Sequence, residues 1–248
     1  ENYIGIANAA YADGQKATVK TTGSIARNVP AQLAAGSAGT KVVVADDDDG
    51  YAVISTTFDS NSNKVVVVYR DATNSYYGTA SVGTVTASDK SISFGTSAVF
   101  ESAGILSTDV VFDSNSNKVV IAYRDTGNSN RGTAIVGTVS GTGISFGSAV
   151  VFETGETINI SATFDSSNNK VVIAYEDQDD SQKGKAIVGT VSGTSISFGT
   201  AAVFNDANTG FTSTAFDTTN NKVVIAFADV GNSNRGTAIV GTVSGTDI

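Results

Sequence analysis

Hydrophobic and polar positions along this chain form short β-type runs separated by polar turns, and the same order of runs returns four times. The clearest run is "KVVVVY" (Lys64–Tyr69), followed by "KVVIAY" at Lys118 and at Lys170 and "KVVIAF" at Lys222. Successive side chains of a strand point to opposite faces, so a run that is apolar at every position needs cover on both sides. Each run follows a Phe-Asp pair and a polar turn: "FDSNSNK" at Phe58 and Phe112, "FDSSNNK" at Phe164 and "FDTTNNK" at Phe216. The Phe-Asp anchors lie 54, 52 and 52 residues apart. The two extra residues of the first interval fall in a turn, where "TVTASDKSISFG" (Thr84–Gly95) stands in place of "TVSGTGISFG" (Thr138–Gly147).

Each unit predicts four strands. In the second unit they are Ser107–Asp113, Lys118–Arg124, Thr133–Ser140 and Ile144–Phe152, rich in Val, Ile, Thr, Tyr and Phe, with Asn, Ser, Gly and Asp between them. Helix signals are almost wholly absent. Small residues in the third strand, such as Ala134 and Gly137, leave room for a close neighbour. Four antiparallel strands per unit of about 52 residues is the pattern of a β-propeller blade, with a β-solenoid or a string of sandwiches as alternatives. The expected fold is all-β: β-propeller-like tandem repeats over residues 40–248, with units near 51–104, 105–156, 157–208 and 209–248, and a small N-terminal β module or docking arm over residues 1–39. The last unit stops at "GTVSGTDI", before a fourth strand, whereas "TKVVVA" (Thr40–Ala45) predicts a strand with no unit of its own. A strand supplied from the N-terminal side would close a four-unit ring and hide its edges. The rival expectation is that more units follow Ile248.

Strand parity then separates two ends. The turns between strands one and two and between three and four are short and nearly uniform. At the other end lie the varied loops "DATNSYYG" (Asp71–Gly78), "DTGNSNRG" (Asp125–Gly132), "DQDDSQKG" (Asp177–Gly184) and "DVGNSNRG" (Asp229–Gly236), together with the linkers "ESAGILST", "ETGETINIS" and "NDANTGFTST". Variable loops on a rigid scaffold are where binding residues collect. Candidate ligand contacts are therefore Tyr76, Tyr77, Asn130, Arg131, Asp179, Asp180, Lys183, Asn234 and Arg235. Their aromatic faces suit a sugar or protein, their amides and carboxylates suit hydroxyl groups, and their cations suit acidic groups. The recurring Asp71, Asp125, Asp177 and Asp229 predict turn-closing bonds to the backbone instead.

Composition narrows the chemistry. With no His and no Cys among 248 residues, a Ser-His-Asp triad, a thiolate zinc site and a Cys nucleophile are excluded within the chain. The net charge of −9, with no basic cluster, speaks against nucleic acid. No long apolar run predicts membrane insertion. "DSNSN" at Asp59 and Asp113 opens like a calcium loop, but Lys64 and Lys118 stand where its glycine belongs and no closing Glu follows, so an Asx-type turn is expected. "DDDDG" (Asp46–Gly50) reads as a solvated acidic linker. No metal or cofactor is expected. Glycoside hydrolysis requires paired carboxylates, and Glu101, Glu153, Glu156 and Glu176 follow repeat positions rather than converging, so no enzyme is expected either.

The front segment "NYIGIANAAYADGQKATVKTTGSI" (Asn2–Ile25) resembles the small β modules of tail-fibre and other appendage proteins of marine bacteriophages. The units "FDSNSNKVVIAYRD…GTAIVGTVSGTGISFG" are similar to tandem repeats of large phage or bacterial surface proteins. The resemblance implies a virion, extracellular location and a structural or receptor-binding role in a homo-oligomeric appendage. Residues 1–39 would then meet other virion proteins, and the repeats would meet a host-surface glycan or protein. It brings no catalytic motif. The absence of Met also fits a piece of a longer fibre polypeptide. A secreted or surface carbohydrate-binding propeller of a bacterium is the alternative.

Overall fold

The computed structural model describes residues 38–44 and 53–248, of which Gly39–Ile248 belongs to one compact unit. The N-terminal module expected over residues 1–39 and the acidic linker Asp46–Gly50 lie outside the described residues, apart from Ala38 and Gly39. Fifteen antiparallel strands carry the rest. The first unit holds β1 (Ile54–Asp59), β2 (Lys64–Asp71), β3 (Tyr77–Thr86) and β4 (Ser91–Phe94). The second holds the long β5 (Ala98–Asp113), β6 (Lys118–Asp125), β7 (Arg131–Ser140) and β8 (Gly143–Phe146). Then follow β9 (Val150–Asp165), β10 (Lys170–Asp177), β11 (Lys183–Ser192) and β12 (Ser195–Phe198), and finally β13 (Ala202–Asp217), β14 (Lys222–Asp229) and β15 (Arg235–Gly241). No α-helix occurs among the described residues; three short 3-10 turns follow β2, β6 and β14.

The strands form an open sheet in the order β1-β2-β3-β5-β6-β7-β9-β10-β11-β13-β14-β15, with β4, β8 and β12 branching from β3, β7 and β11. The linkers expected as loops are therefore strand. The front half of β5 pairs with β3 (Ala98 opposite Ala80, Gly104 opposite Tyr77), and its rear half pairs with β6 (Ile105 opposite Asp125, Asp113 opposite Lys118). β9 and β13 repeat this crossing. Two residues after the first residue paired with the new strand come a register shift and a left-handed residue: Ser107 (φ 44), Asn159 (φ 52) and Phe211 (φ 49). Such a bulge bends the strand, letting one segment serve two sheets. The fourth strand expected as Ile144–Phe152 is correspondingly split, since β8 ends at Phe146 and Val150 already begins β9. Thr40–Val44, expected as part of a strand, carries no strand pairing.

The apolar runs do receive cover on both faces. In β6, Val119, Ile121 and Tyr123 pack against Val66, Val68, Ala80 and Val82 of the unit before and against Phe100 in the front half of β5. Its alternate residues Val120 and Ala122 join Val171, Ile173 and Tyr175 of the unit after. A third cluster joins Val172, Ala174 and Val188 to Val223, Ile225 and Phe227. Each buried Val or Ile contributes about 1.5–3 kcal/mol. Glycines set the spacing of these layers. A Cβ at Gly132 would fall 2.5 Å from the Phe152 ring, and one at Gly137 would fall 2.8 Å from Ile144 Cδ1.

The rear halves of the long strands also touch one another. Ser55 Oγ donates to Asp109 Oδ1 (2.7 Å), Ala162 N donates to Asp109 Oδ2 (2.8 Å), and Thr214 N donates to Ser161 Oγ (3.0 Å). Residues 52 to 54 apart thus line up side by side, one from each unit, stitched by polar side chains.

A candidate binding rim

The turns after β1, β5, β9 and β13 are closed by their own aspartates. Asp59 Oδ1 accepts from Asn61 N (2.9 Å) and Ser62 N (3.0 Å), while its Oδ2 accepts from Ser62 Oγ (2.7 Å). Asp113, Asp165 and Asp217 make the same pair of backbone bonds. Burial works to raise the Asp165 carboxyl, but bonds from Ser167 and Asn168 outweigh it and hold the group below the usual range. These lone pairs serve turns, which is the Asx geometry expected of them. Among the described residues, no group of three Asp or Glu is placed to hold a metal.

The opposite end carries the varied loops. Asp71 accepts from Thr73 N (3.1 Å), Asp125 from Gly127 N (2.9 Å) and Asp177 from Asp179 N (3.1 Å), each opening its loop. Two left-handed residues close each loop: Ser75 and Tyr76, Ser129 and Asn130, Ser181 and Gln182, Ser233 and Asn234. In three units the second of these offers its carbonyl to the next long strand. Tyr76 O accepts from Ile105 N (3.2 Å), Asn130 O from Thr157 N (3.0 Å) and Gln182 O from Thr209 N (2.9 Å). The loops therefore fasten neighbouring units as well as facing solvent.

The nine candidate residues divide accordingly. Tyr76 is 44% exposed, with the Arg70 guanidinium 4.8 Å from its ring centroid. Tyr77 opens β3 beside it, partly buried. Arg131 reaches Thr154 O with Nε and Asn128 Oδ1 with a terminal nitrogen, both at 3.3 Å. Asp179 accepts from Glu156 N (3.0 Å). Asp180 and Lys183 pair at 3.2 Å, and Lys183 also reaches Asp206 at 3.0 Å. Arg235 donates to Asn232 Oδ1 (3.3 Å) and, like Asn234, is exposed. Tyr76 and Tyr77 are adjacent; Asp179, Asp180 and Lys183 form a second group one loop further along; Asn130 with Arg131, and Asn234 with Arg235, belong to separate loops.

Three further sets of residues complete this rim. Tyr123 donates to Glu101 Oε2 and Tyr175 to Glu153 Oε2, each at 3.0 Å. Burial, then the neighbouring glutamate, raises both phenols well above their ordinary range. Lys185 lies 2.6 Å from Asp177, 2.9 Å from Asp180 and 3.9 Å from Glu153. Burial pulls its ammonium down, but the bonds to Asp177 and Asp180 outweigh that and keep it above its usual value. Arg124 bridges to Glu156 of the following unit at 2.7 Å. Lys185 left a signal in the sequence, because Thr79, Thr133 and Thr237 occupy the equivalent place.

Buried Glu176 accepts from Asn159 Nδ2 (2.6 Å) and from Gln178 Nε2. Burial dominates these bonds and raises its carboxyl above the ordinary value. A carboxyl raised on folding binds protons more readily in the folded state, so its cost to stability is present above the folded pKa and is relieved as pH falls toward the unfolded pKa. Glu176→Gln is therefore expected to melt higher than the parent near pH 7, with the difference shrinking toward pH 4.5. Thermal unfolding across that range reads it, and a gap that widens on acidification would contradict the assignment.

No family model matches the chain, and no curated protein matches it in sequence. Among solved structures, an exo-β-1,3-galactanase from Phanerochaete chrysosporium, crystallised with β-1,3-galactotriose, superposes with a TM-score of 0.43 at 7% identity. The match covers 71% of this chain and 42% of the galactanase chain.

Proposed function

We propose that this chain is a non-enzymatic structural and receptor-binding part of a phage virion appendage, a tail fibre or similar, whose loop rim meets a host-surface glycan. In this reading the units are blades of a β-propeller, and the rear halves of β1, β5, β9 and β13 are their inner strands. The side-by-side bonds through Asp109 and Ser161 support that arrangement. The phage assignment rests on the resemblance of Asn2–Ile25 and of the repeat units to appendage proteins.

The observation that carries the binding reading is Tyr76. Its left-handed backbone (φ 64) and the Arg70 guanidinium over its ring hold an exposed aromatic surface in place before any ligand arrives. A pre-set ring suits a sugar, which presents C–H groups to an aromatic face and hydroxyls to amides and carboxylates beside it. Fibres present several copies, so modest contacts multiply into avidity. A non-catalytic role is supported by the rim glutamates. Glu101 and Glu153 receive tyrosine hydroxyls, Glu156 an arginine, and Glu176 two amides, rather than sharing a cleft.

On a panel of host-surface glycans, Tyr76→Ala is expected to weaken binding by the full chain about tenfold or more, the loss of one stacking contact of roughly 1.4 kcal/mol. Arg131→Ala, whose guanidinium is engaged within the rim, is expected to have a smaller effect. Unchanged binding in Tyr76→Ala would remove the proposed surface, and release of reducing sugar would make the chain an enzyme. Labelling purified virions with an antibody to the chain separates a virion part from a bacterial surface lectin, which could use the same platform.

A further inference from the structure

The second and third units build the same carboxylate site at the rim, but only the third supplies its own cation. There Glu153 accepts from the Tyr175 hydroxyl, and Asp177 opens the loop by accepting from Asp179 N. The Lys185 ammonium reaches both acids, 2.6 Å from Asp177 Oδ2 and 3.9 Å from Glu153 Oε2. Asp180 Oδ2 adds a third contact at 2.9 Å. Lys185 stands directly across the strand pair from Tyr175, so the two side chains share a face.

One repeat earlier the acids and the phenol return without the lysine. Glu101 accepts from Tyr123 (3.0 Å), Asp125 Oδ1 accepts from Gly127 N (2.9 Å), and Thr133 faces Tyr123 in the place of Lys185. Asp125 is only 7% exposed. Its Oδ2 is the counterpart of the oxygen that holds Lys185, yet it has no hydrogen-bond partner among the described residues. Among those residues no Lys or Arg forms an ion pair with Glu101 or Asp125 either. Burial, then the charge of Asp125, raises the Glu101 carboxyl above its ordinary value. Two acids set against each other in this way are relieved by a cation between them.

We propose that Glu101 and Asp125 receive a primary ammonium from the ligand, the group that Lys185 provides internally one unit later, and that the ligand is a glycan bearing a free amino sugar. The choice of a glycan rests on the reading of the rim given above. Tyr76 borders the same junction. Thr126, next to Asp125, donates to Gly104 O (2.6 Å), and a Cβ at Gly104 would fall 2.7 Å from Thr126 Oγ1 and 3.7 Å from Tyr76 Cβ. One sugar chain can therefore lay a ring on Tyr76 and direct an ammonium to the carboxylates. An ammonium fits better than a metal ion, which takes six or more oxygens, because no group of three acids is placed to hold one among the described residues. An N-acetylated sugar brings no charge and leaves Asp125 Oδ2 unsatisfied, so the site discriminates against it.

Calorimetric titration of the full chain compares a glucosamine oligomer with its N-acetylated form at about pH 6, where an amine of the α-amino type is protonated. The free-amine oligomer is expected to bind about tenfold tighter or more. Thr133→Lys, which copies the third unit, is expected to abolish that preference without lowering the melting temperature. Ser60→Lys adds the same charge at an exposed turn of the opposite end and is expected to keep the preference. Asp125→Asn, which retains the loop-opening acceptor, is expected to reduce it about fivefold, a readout that does not depend on how well the lysine variant folds. No preference for the free amine, or one that survives both Thr133→Lys and Asp125→Asn, would overturn the proposal. Equal binding of the two oligomers, weakened by Tyr76→Ala, would leave the glycan surface standing and remove the ammonium site.

Discussion

Truncating Phe152 to alanine is expected to lower stability by about 3–5 kcal/mol, the usual cost of removing a buried aromatic ring. Phe152 sits in the junction between the second and third units, its centroid 5.3 Å from the ring of Tyr175 and 5.7 Å from that of Phe198. Removing it opens a cavity bounded by three strands from two units, and Gly132, against which the ring lies, offers no side chain to collapse into the gap. Phe204 provides the internal comparison. It packs against Phe227 at 5.1 Å, but on its other side lines an open groove of about 300 Å³ with Ile225, Ile239 and Ile248. Phe204→Ala is therefore expected to cost clearly less. Urea unfolding of both variants reads the difference, and equal losses would mean that the junctions are not packed as described.

Lys185→Met is expected to cost about 3 kcal/mol, the penalty for removing one member of a buried ion pair and leaving the other charged. Asp177 is buried, and its Oδ2 lies 2.6 Å from the ammonium. The methionine preserves most of the apolar stem, so the loss reports on charge rather than volume. Adding Asp177→Asn to Lys185→Met should recover part of the stability, because the stranded charge is then gone while Asn can still cap the loop. A double variant as unstable as the sum of the two single changes would show that the two groups do not act as a pair.

Much of the architecture is readable from residue order alone, because it is written in local patterns. The runs at Lys64, Lys118, Lys170 and Lys222 are apolar at consecutive positions, and that requires strands covered on both faces. Asp59 and Asp113 announce their turns through the Asn and Ser that follow. The crossing strands are a different case. "ESAGILST" and "ETGETINIS" are rich in Glu, Ser, Thr and Gly, and their pairing passes from one strand to another between Gly104 and Ile105 and between Glu156 and Thr157. Nothing in the local pattern says that Gly104 pairs with Tyr77 before it while the adjacent Ile105 pairs with Asp125 after it. The rim shows the same limit. Tyr76 stands out as an aromatic in a polar loop, whereas the bonds from Tyr123 to Glu101 and from Tyr175 to Glu153 join residues 22 apart through tertiary packing alone. They become visible only when units are compared: Phe227 replaces the tyrosine in the unit where Asn205 replaces the glutamate.

Consecutive units share their long strands, so that each former linker is hydrogen-bonded to the loop of the unit before it. Amide hydrogen exchange at Ile105, Thr157 and Thr209 tests this most directly, since these amides donate to Tyr76, Asn130 and Gln182. All three are expected to exchange as slowly as amides in the centres of β6 and β10. Exchange as fast as that of the exposed loop residues Asn74 and Ser233 would contradict it.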